Sequence, residues 1–550
     1  MIQISDARTI VNLAQPQISP DGKQIVCVVS RPNYAANADE SDLLLIDIVS
    51  GKQRVLTHLI PEASSGGVSP ERSLKDIASP RWSPSGDRIA FLARGPSENS
   101  LLQIYVLNLT GQLFKIAEAQ NDVDAFAWRP DGSAIAYDTA DVPKNKKAID
   151  EHHDAFEVGN DGYLISAAPT PVNLWLAPTN GKPAKRLTSG KGMVFGGDAG
   201  TSLSWSPDGR TLAYTWAPSP HLGDTNPAAI MLLDVASGAI RKLTQHPGLE
   251  NYATFSPDGS KIAYWHPKNG DGLNGTEIYV TSPRGGNGND VTRRIDRDMS
   301  SLAWMPDGKT LLVSAPSETS IGVWLQPLGG EPHRLDLGVV DPYWDNWTDI
   351  TVGKDGAIAF AGSEPKRPIE LYYMRSSSSP PRRLTDFNHH IAALDLGRSE
   401  TITWTNEGFT EDGVLTYPPN FVRGKKYPLL LRLHGGPNYQ SNRTFWDFIQ
   451  VAAARGYVVF QPNYRGSDNL GSAYEHAIFN DGVRGPSRDI MAGVRAVEKL
   501  GIVDTSREAV SGHSYGGYLS AWLTSHDTRW KAAVFYAAEI DPLAQYYLED

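Results

Sequence analysis

Residues 203–216 read Leu-Ser-Trp-Ser-Pro-Asp-Gly-Arg-Thr-Leu-Ala-Tyr-Thr-Trp. Pro207 presets φ for a turn, Gly209 accepts a positive φ, and apolar alternation resumes on the far side, so the stretch predicts a β-hairpin. The string returns as Ser19-Pro20-Asp21-Gly22, Ser83-Pro84-Ser85-Gly86, Arg129-Pro130-Asp131-Gly132, Ser256-Pro257-Asp258-Gly259 and Met305-Pro306-Asp307-Gly308, and in decayed form as Gly353-Lys354-Asp355-Gly356. An aromatic stands two residues before the proline at Trp82, Trp128, Trp205, Phe255 and Trp304.

Each hairpin is followed by a second pair of strand-like runs, as in AIMLLDVASGAIRKLT at 229–244. Four strands repeated seven times predict a seven-bladed β-propeller, and the last four turn glycines are 50, 49 and 48 residues apart, a suitable blade length. The wider gaps, 64 residues from Gly22 to Gly86 and 77 from Gly132 to Gly209, must hold insertions. The second insertion carries Glu151 and Glu157; its simplest reading is a solvated surface excursion.

Beyond Thr385 the pattern changes. YPLLLRLHG and YVVFQPNYRG read as strands, and TFWDFIQVAAARG and DIMAGVRAVEKLG as helices ended by Gly456 and Gly501. Strands alternating with amphipathic helices predict an α/β domain with a mostly parallel sheet. The expected fold class is therefore multidomain β plus α/β, with the propeller and its N-terminal segment over 1–390 and an α/β-hydrolase domain over 391–550.

Gly512-His513-Ser514-Tyr515-Gly516-Gly517 matches G-x-S-x-G. Alone the match is weak. Here a short strand precedes it and the helical YLSAWLTSH follows, which is the strand–turn–helix setting of a nucleophile elbow. Ser514 is the candidate catalytic nucleophile. A serine attacks an acyl carbon only when a base takes its proton and amides hold the oxyanion. The N–H of Tyr515 is the expected first donor, and that of Gly436 in His434-Gly435-Gly436-Pro437 the second. Read blandly, that segment is only a tight turn with a satisfied loop histidine.

Composition narrows the alternatives. The chain has 550 residues, too many for one hydrophobic core, with 40% hydrophobic and 21% charged residues as in ordinary globular proteins. A net charge of −11 without a Lys/Arg-rich run gives no basic face for nucleic acid. Cys27 is the only cysteine, which excludes an intrachain disulfide and a cysteine-based zinc site. No secretory signal or membrane-length apolar run is visible, so the expected compartment is the cytoplasm, or the periplasm or exterior if a signal peptide has been removed.

With HGGP, PNYRGS at 462–467 and GHSYGGY at 512–518 behind a sevenfold SPDG repeat, the whole chain resembles the prolyl oligopeptidase family. It looks closer to the acylaminoacyl-peptidase and dipeptidyl-peptidase-like branches than to prolyl oligopeptidase proper. The resemblance implies a serine-type oligopeptidase or exopeptidase that hydrolyses short peptides by acyl transfer, with the propeller as a size filter. It also implies no metal and no organic cofactor. Expected partners are short peptide substrates, with no nucleic acid and no membrane; a homo-oligomer is left open. By motif match Ser514 is the nucleophile and Gly436 and Tyr515 form the oxyanion hole. Asn463, Tyr464 and Arg465 match a segment that shapes the floor near the site. Dipeptidyl-peptidase relatives hold the substrate's free amine with propeller carboxylates, a role for which Glu151 and Glu157 are candidates.

No residue matches the family's triad acid or histidine. Only 36 residues follow Ser514, fewer than the later strands need, so the expected hydrolase domain is C-terminally incomplete, truncated before the triad acid and histidine, with an exposed sheet edge. His526, twelve positions on, would lie ~18 Å along a continued helix. His513 should be turned away by the elbow, and Asp541 would have no histidine to orient. Two other readings remain: a carboxylesterase using the same elbow, and a non-catalytic propeller-based binding protein.

Overall fold

The computed structural model describes residues 1–57, 74–97, 99–158, 161, 165–194, 203–343, 347–538, 540 and 541. The repeat region forms a β-propeller. Consecutive strands make four-stranded antiparallel sheets over Asn12–Val55, Lys75–Lys115, Asn251–Asp290 and Ser301–Arg334, and a five-stranded sheet lies within Asp341–Arg383. The segment from Val123 to Lys242 is one nine-stranded sheet, because Met193–Val194 pairs with a strand on either side. Nothing in the local sequence pattern announces that two-residue bridge.

The SPDG strings form the predicted turns. Gly22, Gly209 and Gly259 donate their N–H to the carbonyls of Ser19, Ser206 and Ser256 at 2.8–2.9 Å. The serine hydroxyls donate to Asp21, Asp208 and Asp258 at 2.6–2.7 Å, holding those carboxyls below their usual range. The turns stand in a ring: Gly86 faces Pro20, Gly132 Pro84, Gly209 Pro130, Gly259 Pro207, Gly308 Asp258 and Gly356 Met305, while Gly22 returns to Asp355.

The recurring aromatics explain why neighbouring sheets stay in step. Each tryptophan buries its ring and donates Nε1–H to a carbonyl of the preceding inner strand: Trp82 to Gln17 at 3.0 Å, Trp128 to Arg81 at 3.2 Å, Trp205 to Ala127 at 3.3 Å and Trp304 to Thr254 at 3.2 Å. Phe255 cannot donate, and there the link is made by its backbone N–H to Ser204 Oγ at 3.0 Å. The first and last sheets meet through apolar packing of Leu13, Ile25 and Val29 on Ala357, Ala359 and Leu371.

The second part is an α/β-hydrolase domain built on a six-stranded sheet. Its strands are β1 (Ser399–Asn406), β2 (Phe409–Thr416), β3 (Tyr427–Leu433), β4 (Val458–Pro462), β5 (Val503–His513) and β6 (Trp530–Tyr536), in the order β1-β2-β4-β3-β5-β6. β3 to β6 are parallel, and β1 and β2 are antiparallel additions. The three helices of eight residues or more among the described residues pack around them: α1 (Asp447–Ala454), α2 (Arg484–Glu498) and α3 (Tyr515–His526). Leu429, Leu431, Leu433, Phe460, Val494, Val510 and Leu519 form the core, which explains the near-continuous apolar runs of β3 and β4. Gly456 and Gly501 follow the helix ends at φ +92° and +71°, as expected of C-terminal caps.

The two parts are joined by specific hydrogen bonds. The hairpin tip at Glu318 and Thr319 enters the hydrolase domain: Glu318 N–H donates to Asn469 O, Asn469 Nδ2 donates to Glu318 O, and Arg443 N–H donates to Thr319 O, each at 3.0 Å. Asp296 accepts from Lys268 at 2.6 Å and from Ser472 of the hydrolase domain at 2.7 Å. Among the described residues no helix is long and apolar enough to cross a membrane.

Candidate active site

Ser514 follows β5 and caps α3, at φ +52° and ψ −125°. Such a conformation is strained for a residue with a side chain and is kept only where the surroundings impose it. Here they do. A Cβ on Gly512 would stand 1.9 Å from Gly516 O, and one on Gly516 would stand 2.3 Å from His434 O and 2.5 Å from Leu433 O. The glycines let β5, α3 and the end of β3 close on one another, and the serine takes up the strain at the apex. Ser514 is half-buried, with its backbone N–H on Tyr536 O at 3.1 Å and its carbonyl accepting from Tyr518 N–H at 3.0 Å.

The HGGP turn lies directly against this elbow. A Cβ on Gly435 would meet Ser514 Cβ at 3.4 Å and His513 O at 3.3 Å. Gly436 sits at φ +108°, where a side chain would run into Asn438 N at 2.6 Å. Tyr515 is the first residue of α3, so its N–H belongs to the first turn, which has no intrahelical acceptor. Both proposed oxyanion donors are thus carried by backbone beside the serine. The Tyr515 side chain is engaged elsewhere, its hydroxyl donating to Gly482 O.

His434 is buried, and burial beside Arg432 depresses its pKa to about 4. Its ring stacks on Tyr464 at 4.3 Å, and its nitrogens lie 2.8 Å from Gly435 O and 3.0 Å from Ser467 Oγ. It is a neutral, fully engaged group and makes no hydrogen bond to Ser514 among the described residues. His513 is exposed, with its ring 4.9 Å from that of Tyr536. His526 is exposed at the far end of α3, stacked on Trp522 and bonded to Trp522 O at 2.9 Å. Neither makes a hydrogen bond to Ser514 among the described residues. Asp541 is exposed beyond β6, and residues 542–550 lie outside the described residues.

The PNYRG segment supports the site from below. Asn463 donates to Asp412 at 2.7 Å and accepts from Ser441 N–H at 2.7 Å, while the Tyr464 hydroxyl donates to His434 O at 2.5 Å. Arg465 holds the buried Asp489 carboxylate in a fork, at 2.7 and 2.8 Å, and reaches Glu407 at 2.7 Å. Asp489, Glu407 and Asp412 carried no motif in the sequence; burial marks Asp489 and Asp412, and only its bonds to Arg465 and Arg488 mark the exposed Glu407.

Glu151 and Glu157 are both exposed. Glu151 ends a short helix, Lys146–Asp150, near Lys147 at 3.9 Å and His153 at 3.6 Å. The insertion is tied down at Asp161, which accepts from Leu222 N–H at 2.9 Å and bonds His221. Cavity size does not locate the chemistry here. A cavity of about 760 Å³ lies in the propeller, lined by Glu118, Tyr137, Trp175 and Arg186, and not by Ser514.

A propeller joined to a sheet that presents a strained serine defines a class of two-part serine hydrolases, and the comparisons narrow that class. Residues 443–550 match the prolyl oligopeptidase family. Dipeptidyl-peptidase 5 of Porphyromonas gingivalis is 25% identical, the match covering 98% of this chain and 79% of that one. The uncharacterised peptidase YuxL of Bacillus subtilis is also 25% identical, over 97% and 81%. Among solved structures, the acylaminoacyl peptidase of Pyrococcus horikoshii superposes with a TM-score of 0.77 at 19% identity, over 98% of this chain and 79% of that one. Over residues 443–550 the chain matches the prolyl oligopeptidase family, and with its similarity to named peptidases this marks it as a serine-type peptidase, a hydrolase of peptide bonds.

Proposed function

We propose that this peptidase cleaves short peptides through an acyl-enzyme on Ser514. Oγ would attack the scissile carbonyl carbon and lose its proton to a base. The amides of Gly436 and Tyr515 would hold the oxyanion, and the amine would depart carrying the proton returned by that base, before water releases the acyl group. The observation that carries this reading is the left-handed Ser514 with the Gly435–Gly436 turn packed against it. A fluorophosphonate added to the full-length enzyme tests it. Mass spectrometry should find one adduct, on Ser514, with peptide hydrolysis lost in proportion; inactivation with the adduct elsewhere would refute the assignment.

We also propose that the propeller has seven blades and spans 1–390, the hydrolase domain following over 391–550. The ring of turn contacts supports seven, and the Trp205 bond to Ala127 supports division of the nine-stranded sheet into two blades bridged by Met193–Val194. A closed ring in front of the sheet is compatible with a filter that admits short peptides and excludes folded proteins.

The similarity to a dipeptidyl-peptidase supports a free amino terminus as the recognised group, and the exposed Glu151 and Glu157 are the propeller carboxylates we assign to it. Glu157→Gln and Glu151→Gln are each expected to lower kcat/KM for unblocked dipeptide anilides about tenfold and to leave N-blocked ones unchanged. An unaltered preference in either variant removes that residue from the assignment.

A further inference from the structure

We propose that His434 is a positioning residue that aims the oxyanion donor of Gly436, acting as a neutral ring locked by Tyr464 and Ser467. The proposal rests on the assignment of Ser514 and Gly436 made above, and it concerns how that donor is held.

The carbonyl of Gly435 and the N–H of Gly436 belong to the same planar trans peptide, so they point in opposite directions. Fastening the carbonyl therefore sets the direction of the N–H. His434 Nδ1 is 2.8 Å from Gly435 O, and a carbonyl can only accept, so the proton sits on Nδ1. Nε2 lies 3.0 Å from Ser467 Oγ, a hydroxyl that is itself fixed by donating to Tyr464 O at 2.7 Å. The ring cannot swing, because it lies flat on Tyr464, with centroids 4.3 Å apart and planes 9° apart. The same tyrosine donates its hydroxyl to the His434 carbonyl at 2.5 Å, fixing the backbone as well as the ring.

A Gly-Gly turn needs such a brace. Neither residue has a side chain to restrict its peptide, and glycine populates both signs of φ at little cost. A flipped peptide would aim the Gly435 carbonyl, a partial negative charge, at the place where the oxyanion forms. The donor would be replaced by a repulsive acceptor. Substrate binding does not require the oxyanion contact, so a loose peptide should lower kcat and leave KM nearly unchanged. HGGP and PNYRGS, separate in the sequence, are on this reading two halves of one device: Tyr464 and Ser467 hold His434, and His434 holds the amide.

The test compares two substitutions in the full-length enzyme. Asparagine can place an amide N–H close to the position of Nδ1, whereas leucine fills similar space with no donor. His434→Leu is expected to lower kcat about 30- to 100-fold with KM within about threefold. His434→Asn is expected to recover kcat to within about fivefold of the parent. Equal losses in the two variants, or a loss confined to KM, would overturn the proposal. Should His434→Leu fail to fold, Ser467→Ala, which frees Nε2, is expected to lower kcat about three- to tenfold, and an unchanged kcat would count against the brace. Fluorophosphonate labelling of the parent separates the two levels. Without an adduct on Ser514 the active-site assignment itself fails; with the adduct present and kcat intact in His434→Leu, only the positioning role fails.

Discussion

Ser514→Ala in the full-length enzyme is expected to abolish peptide hydrolysis, with a loss of at least about 10³-fold, while the melting temperature moves by no more than about 2 °C. The two effects separate because the hydroxyl is half-buried and makes no hydrogen bond among the described residues, so its removal leaves no buried partner unsatisfied. Alanine inherits the φ of +52° and hence the strain. Ser514→Gly should be equally inactive and at least as stable as Ser514→Ala, since glycine accepts that backbone freely. Activity of either variant within tenfold of the parent would show that the nucleophile lies elsewhere.

Gly512→Ala should cost far more stability than either change at the serine. The new methyl would stand 1.9 Å from Gly516 O and 2.2 Å from Gly516 C, both backbone atoms of the turn that shapes the elbow. Neither can move without separating α3 from β5, so a loss of about 3 to 5 kcal/mol is expected in urea denaturation, together with loss of Ser514 labelling. Gly329→Ala is the control, because nothing lies within 4 Å of the added methyl there. It should fall within about 0.5 kcal/mol of the parent. If Gly512→Ala matched it and still took up the label, the close approach of the elbow backbone described above would be wrong.

The parts legible in the sequence are those encoded over a few residues. A turn of the SPDG type closes through bonds between residues two and three apart, as from Ser206 to Asp208 and from Gly209 to Ser206, so its signature survives whatever surrounds it. The elbow is similarly local. Gly512, Ser514 and Gly516 constrain one another within five residues, and a strand before with a helix after is enough to interpret them. The family resemblance drew on the same short strings and pointed to the class of chemistry.

Partners distant along the chain were not legible, because their choice depends on which surfaces pack rather than on any local preference. Nothing in HGGP says that Gly435 will rest on Ser514, 79 positions later, or that His434 will stack on Tyr464. The pairing of Arg465 with Asp489 depends on α2 crossing behind β4, and the seating of Glu318 on Asn469 depends on how two separately formed units meet. The same limit applies to Met193–Val194, too short for any periodicity, whose role as a bridge follows only from the strands lying on either side of it. By itself the sequence determined the repeat, the change to an α/β pattern and the serine at its turn, since turn geometry and strand alternation are short-range properties of the backbone. Only the tertiary structure decided what stands beside that serine and how its neighbours are held, since long-range contacts are selected by complementary packing and by the cost of leaving buried polar groups unpaired.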